Sequence, residues 1–202
     1  MLCLWLIGGP LERVHGFVNI GFLFLIAAVG GNILSCVLQP NAISVGASGG
    51  IFGLLGVCLA DILVNWDLLF LKIGDAEERT PCQNVQVLFW LLFDVLVNSM
   101  IGLTPYIDNF AHMGGLCYGI FYALPLAERV GLHFFGNAGF CFRMKNCSLR
   151  LFGLLAGCTL LALSLVMLMY SDGYTSACEK CGFISCAPFP FWKEDKWWDC
   201  SY

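Results

Sequence analysis

Two side chains with the chemistry of a nucleophile and its base stand at matching places in two separate apolar stretches of this 202-residue sequence. Ser48 heads the first, in Gly46-Ala47-Ser48-Gly49-Gly50. His112 lies near the head of the second, in Asp108-Asn109-Phe110-Ala111-His112-Met113-Gly114-Gly115. A hydroxyl within hydrogen-bond reach of an imidazole is the smallest unit of an activated serine, because the ring nitrogen takes the proton as the oxygen attacks a carbonyl. An acidic third member is not obligatory, since the logic of such a triad is geometric. Each residue also has an ordinary structural reading. Gly-x-Ser-Gly in an apolar helix is mostly packing, with the hydroxyl bonded back to its own helix. His112 carries more weight, because an ionisable residue inside a membrane span marks function by default.

The elements that must position them follow from composition. The chain is 59% hydrophobic and 12% charged, with a mean hydropathy of +0.80. A soluble domain cannot hide that much apolar surface, and a disordered chain does not carry it. A net charge of −4 leaves no basic footprint for nucleic acid. The expected fold is an all-α, polytopic transmembrane helix bundle with about five spans, near residues 17–38, 47–64, 85–103, 110–126 and 151–170. Continuous apolar runs, with no alternation, exclude transmembrane strands. Residues 1–16 read as the tail end of a preceding helix and a cytosolic loop, 17–170 as the membrane core, and 171–202 as a Cys-rich tail.

Lys and Arg orient the bundle. Arg13, Lys72, Arg79, Arg129, Arg143, Lys145 and Arg150 fall on one side, which becomes cytosolic; Lys180, Lys193 and Lys196 belong to a net-negative tail on the other. The spans that carry Ser48 and His112 then both start outside and run inward, which sets the two side chains at similar depth. Glycine supplies the means of contact. Gly49, Gly53 and Gly56 make one smooth stripe beside Ser48, and Gly115 and Gly119 lie on the same stripe as His112. Small residues at such spacing let transmembrane backbones approach closely.

These residues resemble the rhomboid family of intramembrane serine proteases, most closely its plant-like members of the secretory pathway. Leu11-Glu12-Arg13-Val14-His15-Gly16, Gly30-Gly31-Asn32-Ile33-Leu34-Ser35, the run from Ile43 to Gly56 and the run from Asn98 to Gly119 carry the resemblance in order. It implies Ser48 as nucleophile and His112 as general base, with the Ser48 backbone N–H as an oxyanion donor beside Gly46, Ala47 and Gly49. It implies single-span membrane proteins as substrates, the lipid bilayer as surroundings, no cofactor or metal, and residence in Golgi or plasma membrane. The family core has six helices, and this sequence is expected to begin near the end of the second, as a fragment of an active protease. The family's His and Asn oxyanion donors belong to that second helix, so no residue here is assigned to them. Losing such donors costs about a hundredfold or more each. A catalytically inactive relative that binds transmembrane helices and alters their trafficking is the rival reading.

Other polar positions have smaller roles. Asp94, with Asn98 one turn later, is expected to be structural, against a channel reading that lacks further polar positions along one helix. Asp61 is expected near a cytosolic helix end within reach of water, and Asn32 in an interhelical hydrogen bond. Cys178, Cys181, Cys186 and Cys200 can bind zinc or form disulfides; an oxidising compartment favours disulfides, with all three pairings open.

Overall fold

The computed structural model describes residues 4–40, 46–65, 81–104, 107–127, 140–170 and 186. Cys3, Lys72, Arg79, Arg129, Cys178, Cys181 and Cys200 lie outside the described residues, as do the side chains of Cys82, Cys141, Arg143 and Lys145. Every described element is helical. A π-helical turn at Leu4–Gly8 leads into α1 (Gly9–His15), followed by α2 (Phe17–Leu38), α3 (Ser48–Val64), α4 (Pro81–Ile101), α5 (Asn109–Leu126) and α6 (Phe140–Tyr170).

Apolar runs interrupted by turn residues set these helices. Gly16 separates α1 from α2 with φ +78°, a backbone conformation that glycine adopts without steric cost. Pro81 opens α4, where a missing N–H is harmless. Asp108 caps α5 in an extended conformation, its side chain accepting from the Ala111 N–H. The sixth helix starts eleven residues before the expected apolar run, at Phe140 in place of Leu151. Hydropathy detects only the part of a helix that lies in lipid, and the polar first turns of α6 project beyond it. Within residues 1–16, read as a helix tail and a cytosolic loop, the chain is helical from Gly9 through His15.

The helices α2, α3 and α5 pack on one another in the centre, α6 covers α5 and part of α2, and α4 touches the rest only lightly. The core holds Leu23, Ala27, Leu54, Val57 and Tyr118. Outside it the surface is strongly apolar: Phe17, Phe22 and Leu25 on α2, Phe89, Trp90 and Leu96 on α4, and Phe152, Leu155 and Met169 on α6 are all exposed. Apolar exposure on this scale belongs in hydrocarbon. Two described segments are long and apolar enough to cross a membrane, Phe17–Leu38 and Cys147–Tyr170; Ser48–Val64 and Leu88–Ile101 are shorter apolar helices. The fifth helix falls below that standard because it carries Asn109 and His112, both buried in the bundle.

Backbone contact holds the centre together. A Cβ on Gly115 or Gly119 would collide with the carbonyl oxygens of Gly49 and Gly53 respectively. A Cβ on Gly31 would lie 2.5 Å from the Ala111 carbonyl oxygen and 2.9 Å from Gly115 N. Three backbones therefore meet where α2, α3 and α5 cross, the geometry that small residues permit between membrane helices. Polar pins complete the wall: Tyr118 OH donates to Ser164 Oγ (3.2 Å), which itself donates to the Leu160 carbonyl (2.8 Å). Arg150 Nη2 donates to the Ala127 carbonyl (3.1 Å) at the end of α5, where a cation suits the helix dipole.

Candidate functional site

Ser48 is the first residue of α3 and is exposed. Ala47 caps the helix and Gly46 precedes it in non-helical backbone. The first intrahelical bond runs from Ile51 N–H to the Ala47 carbonyl (3.2 Å). The N–H groups of Ser48, Gly49 and Gly50 thus belong to the orphan donors of a helix start, where the dipole favours negative charge.

His112 sits in the first turn of α5 and is 7% exposed. Its ring stacks flat on Phe52 of α3, with centroids 4.3 Å apart and planes 8° from parallel. Phe52 is four residues after Ser48, so the two share a face of α3, one turn apart. The imidazole is held against the helix that begins with Ser48. Its Nδ1 is buried with no hydrogen-bond partner among the described residues, and no hydrogen bond joins Ser48 Oγ to the ring. Catalytic hydrogen bonds of this kind commonly tighten only once a carbonyl is bound.

Gly49 and Gly115 meet directly, as do Gly53 and Gly119, so the small-residue stripes form the seam between α3 and α5. Gly56 continues it against the Leu116 carbonyl and Ile120 N. Asp94 lies elsewhere, on the exposed side of α4, where Asn98 Nδ2 donates to its Oδ1 (3.1 Å) and to its carbonyl (2.8 Å). That bond keeps Asp94 within its own helix. Asn32 is exposed on α2 and makes no interhelical hydrogen bond among the described residues, because helix rotation turns it away from the α2–α5 contact at Gly31. Cys186 is buried and disulfide-bonded. Among the described residues no group of three or more His, Cys, Asp or Glu gathers to hold a metal.

Three features lay beyond the sequence reading. Phe52 as the platform for His112 looked like any apolar helix residue. Asp108 carried a signal, an Asp immediately before an apolar helix, which is an N-cap pattern. His15 Nε2 and Asp61 Oδ2 pair at 2.8 Å, joining the α1–α2 corner to the far end of α3. Asp61 is half-buried, with 25% of its side chain exposed and its Oδ1 shielded.

Comparison with known proteins agrees with this architecture. The family model described as Rhomboid domain matches residues 1–129. RHOMBOID-like protein 1 of Arabidopsis thaliana is 33% identical over 206 residues, which cover 95% of this chain and 49% of that protein. RHOMBOID-like protein 6, mitochondrial, from the same plant is 35% identical, over 92% of this chain and 59% of its own length. Inactive rhomboid protein 1 of Homo sapiens is 32% identical over 89% of this chain, but over only 18% of its own length. The chain spans about half the length of the plant relatives it matches. With a helical bundle sealed by glycine seams, an apolar outer shell, and a family match over well over half its length, this chain is a member of the rhomboid family of integral membrane proteins.

Proposed function

We propose that Ser48 and His112 form the dyad of an intramembrane serine endopeptidase that cleaves single-span membrane proteins within or near their transmembrane helix. The observation that supports it is the His112 ring lying against Phe52, one turn from Ser48 on the same face of α3. In this mechanism Ser48 Oγ attacks the scissile carbonyl carbon while the imidazole takes the hydroxyl proton. The resulting oxyanion is met by the N–H of Ser48 at the start of α3. Collapse expels the amine, which leaves with the proton from His112, and leaves an acyl-serine. Water, deprotonated by His112, then releases the carboxylate product and restores the serine. A helical peptide bond is hydrogen-bonded and shielded, so glycine or other weak helix formers near the cut favour attack.

A second reading is an inactive rhomboid that binds transmembrane helices. The missing Ser48–His112 hydrogen bond and the likeness to an inactive rhomboid protein favour it. Labelling of the membrane-inserted chain with a fluorophosphonate separates the two. The protease reading expects labelling that disappears in Ser48→Ala and in His112→Ala. A parent that stays unlabelled speaks for the inactive reading of these 202 residues, and mutants that still label overturn the dyad. Placement in Golgi or plasma membrane, with residues 171–202 on the lumenal side and Cys178, Cys181, Cys186 and Cys200 paired among themselves, belongs to the same proposal. Resistance of tail thiols to alkylation until a reductant is added is its expected outcome.

A further inference from the structure

Asp108 does more than its position requires. An N-cap needs one acceptor oxygen, and Asp108 Oδ1 supplies it to the Ala111 N–H at 2.9 Å. The second oxygen, Oδ2, accepts from Ser35 Oγ at 2.5 Å. Ser35 is 73 residues away in sequence, on α2, and only 3% exposed. A serine or threonine cap has a single oxygen and cannot serve the Ala111 N–H and Ser35 through separate atoms, as Asp108 does. The backbone reinforces the contact, because Gly31 of α2 presses on the Ala111 carbonyl and on Gly115 N one turn further on. His112 occupies the same first turn, and its own N–H donates to the Asp108 carbonyl at 3.3 Å. Rotation of α5 about its axis at this end would move the imidazole off Phe52 and strain the Asp108–Ser35 bond together.

We propose that Asp108 is a positioning residue for His112: by bridging Ser35 of α2 to the first turn of α5, it sets the rotation of α5 that lays the imidazole on Phe52. Its catalytic meaning rests on the reading of His112 as the base. The bridge itself is independent of that reading.

The test separates the bridge from the cap. Asp108→Ser keeps a capping oxygen and loses the bridge, Asp108→Asn keeps both an acceptor for Ala111 and a donor for Ser35, and Ser35→Ala removes the bridge from the other side. Each full-length variant, in detergent micelles, is treated with diethyl pyrocarbonate, and modification of His112 relative to His15 is read by mass spectrometry. Asp108→Ser and Ser35→Ala are expected to raise that ratio about tenfold, the factor for losing one hydrogen bond to a charged group. The double variant rises no further, because both changes cut one bond. Asp108→Asn stays near the parent. An unchanged ratio in Asp108→Ser or in Ser35→Ala overturns the bridge, and if one variant does not fold the other decides. Fluorophosphonate labelling of Ser48 is read in parallel and is expected to fall about as far as the His112 ratio rises. A raised ratio with unchanged labelling, or a parent with no Ser48 labelling, leaves the bridge standing and removes His112 as base.

Discussion

At the residue scale the candidate site is a stack of two side chains, Phe52 and His112, one helical turn from Ser48 at the start of α3. Phe52 gives His112 a flat apolar seat, and the pair lies parallel at 4.3 Å, a contact worth about 1 kcal/mol beyond simple burial. Phe52 is also 5% exposed and fills space between α3 and α5. Phe52→Ala is therefore expected to cost about 3 kcal/mol of stability, measured by thermal unfolding in detergent. Phe52→Tyr, which keeps the ring plane, should label Ser48 at close to the parent rate. If Phe52→Ala labels as fast as Phe52→Tyr, the stack does not orient the proposed base.

At the scale of elements, glycines sort into those that carry contacts and those that do not. Gly115 lies so near the Gly49 carbonyl that no side chain fits without parting α3 from α5. Gly115→Ala should cost about 1–3 kcal/mol by forcing the backbones apart. Gly21, in the middle of α2, has no atom within 4 Å of where its Cβ would stand. Gly21→Ala should instead stabilise the fold by about 0.5–1 kcal/mol, the helix preference for alanine. Equal melting shifts in the two variants would contradict the seam. The His15–Asp61 pair makes a further tie, between the α1–α2 corner and the end of α3. His15→Ala strips the partner from a half-buried carboxylate and is expected to cost about 1–3 kcal/mol, more than Asp61→Asn in the same melting series. The reverse order would show that the pair contributes through packing alone.

For the whole molecule, the core is apolar as in a soluble domain, and the outer surface is apolar as well. Glycine and alanine line the interior seams, while phenylalanine, leucine and methionine cover the outside of α2, α4 and α6. The chain should stay with the membrane pellet after alkaline carbonate extraction and enter solution only with detergent; recovery in the carbonate supernatant would contradict the bundle as a membrane body. The lightly packed α4 sits apart from the glycine seams and adds little to them. Unfolding of the central three helices is accordingly expected to tolerate polar changes on the outer face of α4, such as Asp94→Asn, within about 0.5 kcal/mol.

Membrane residence, the helical class and the faces along which helices meet were legible in the amino-acid sequence, because each is a local sum. Hydropathy adds over a run of some twenty residues, and a smooth glycine stripe repeats with the helical turn. The first and last turns were less legible, as α6 shows by starting at Phe140, since polar turns beyond the lipid leave no hydropathy signal. Partner choice was decided only by the tertiary structure. Asp108 finds Ser35 across 73 residues and His15 finds Asp61 across 46. Asn32, on the same helix as Ser35, finds no partner among the described residues. The reason is rotation and depth. Successive residues such as Gly31 and Asn32 point about 100° apart around the helix, and which of them faces a neighbour is set when α2, α3 and α5 close upon one another at Gly31, Gly49 and Gly115.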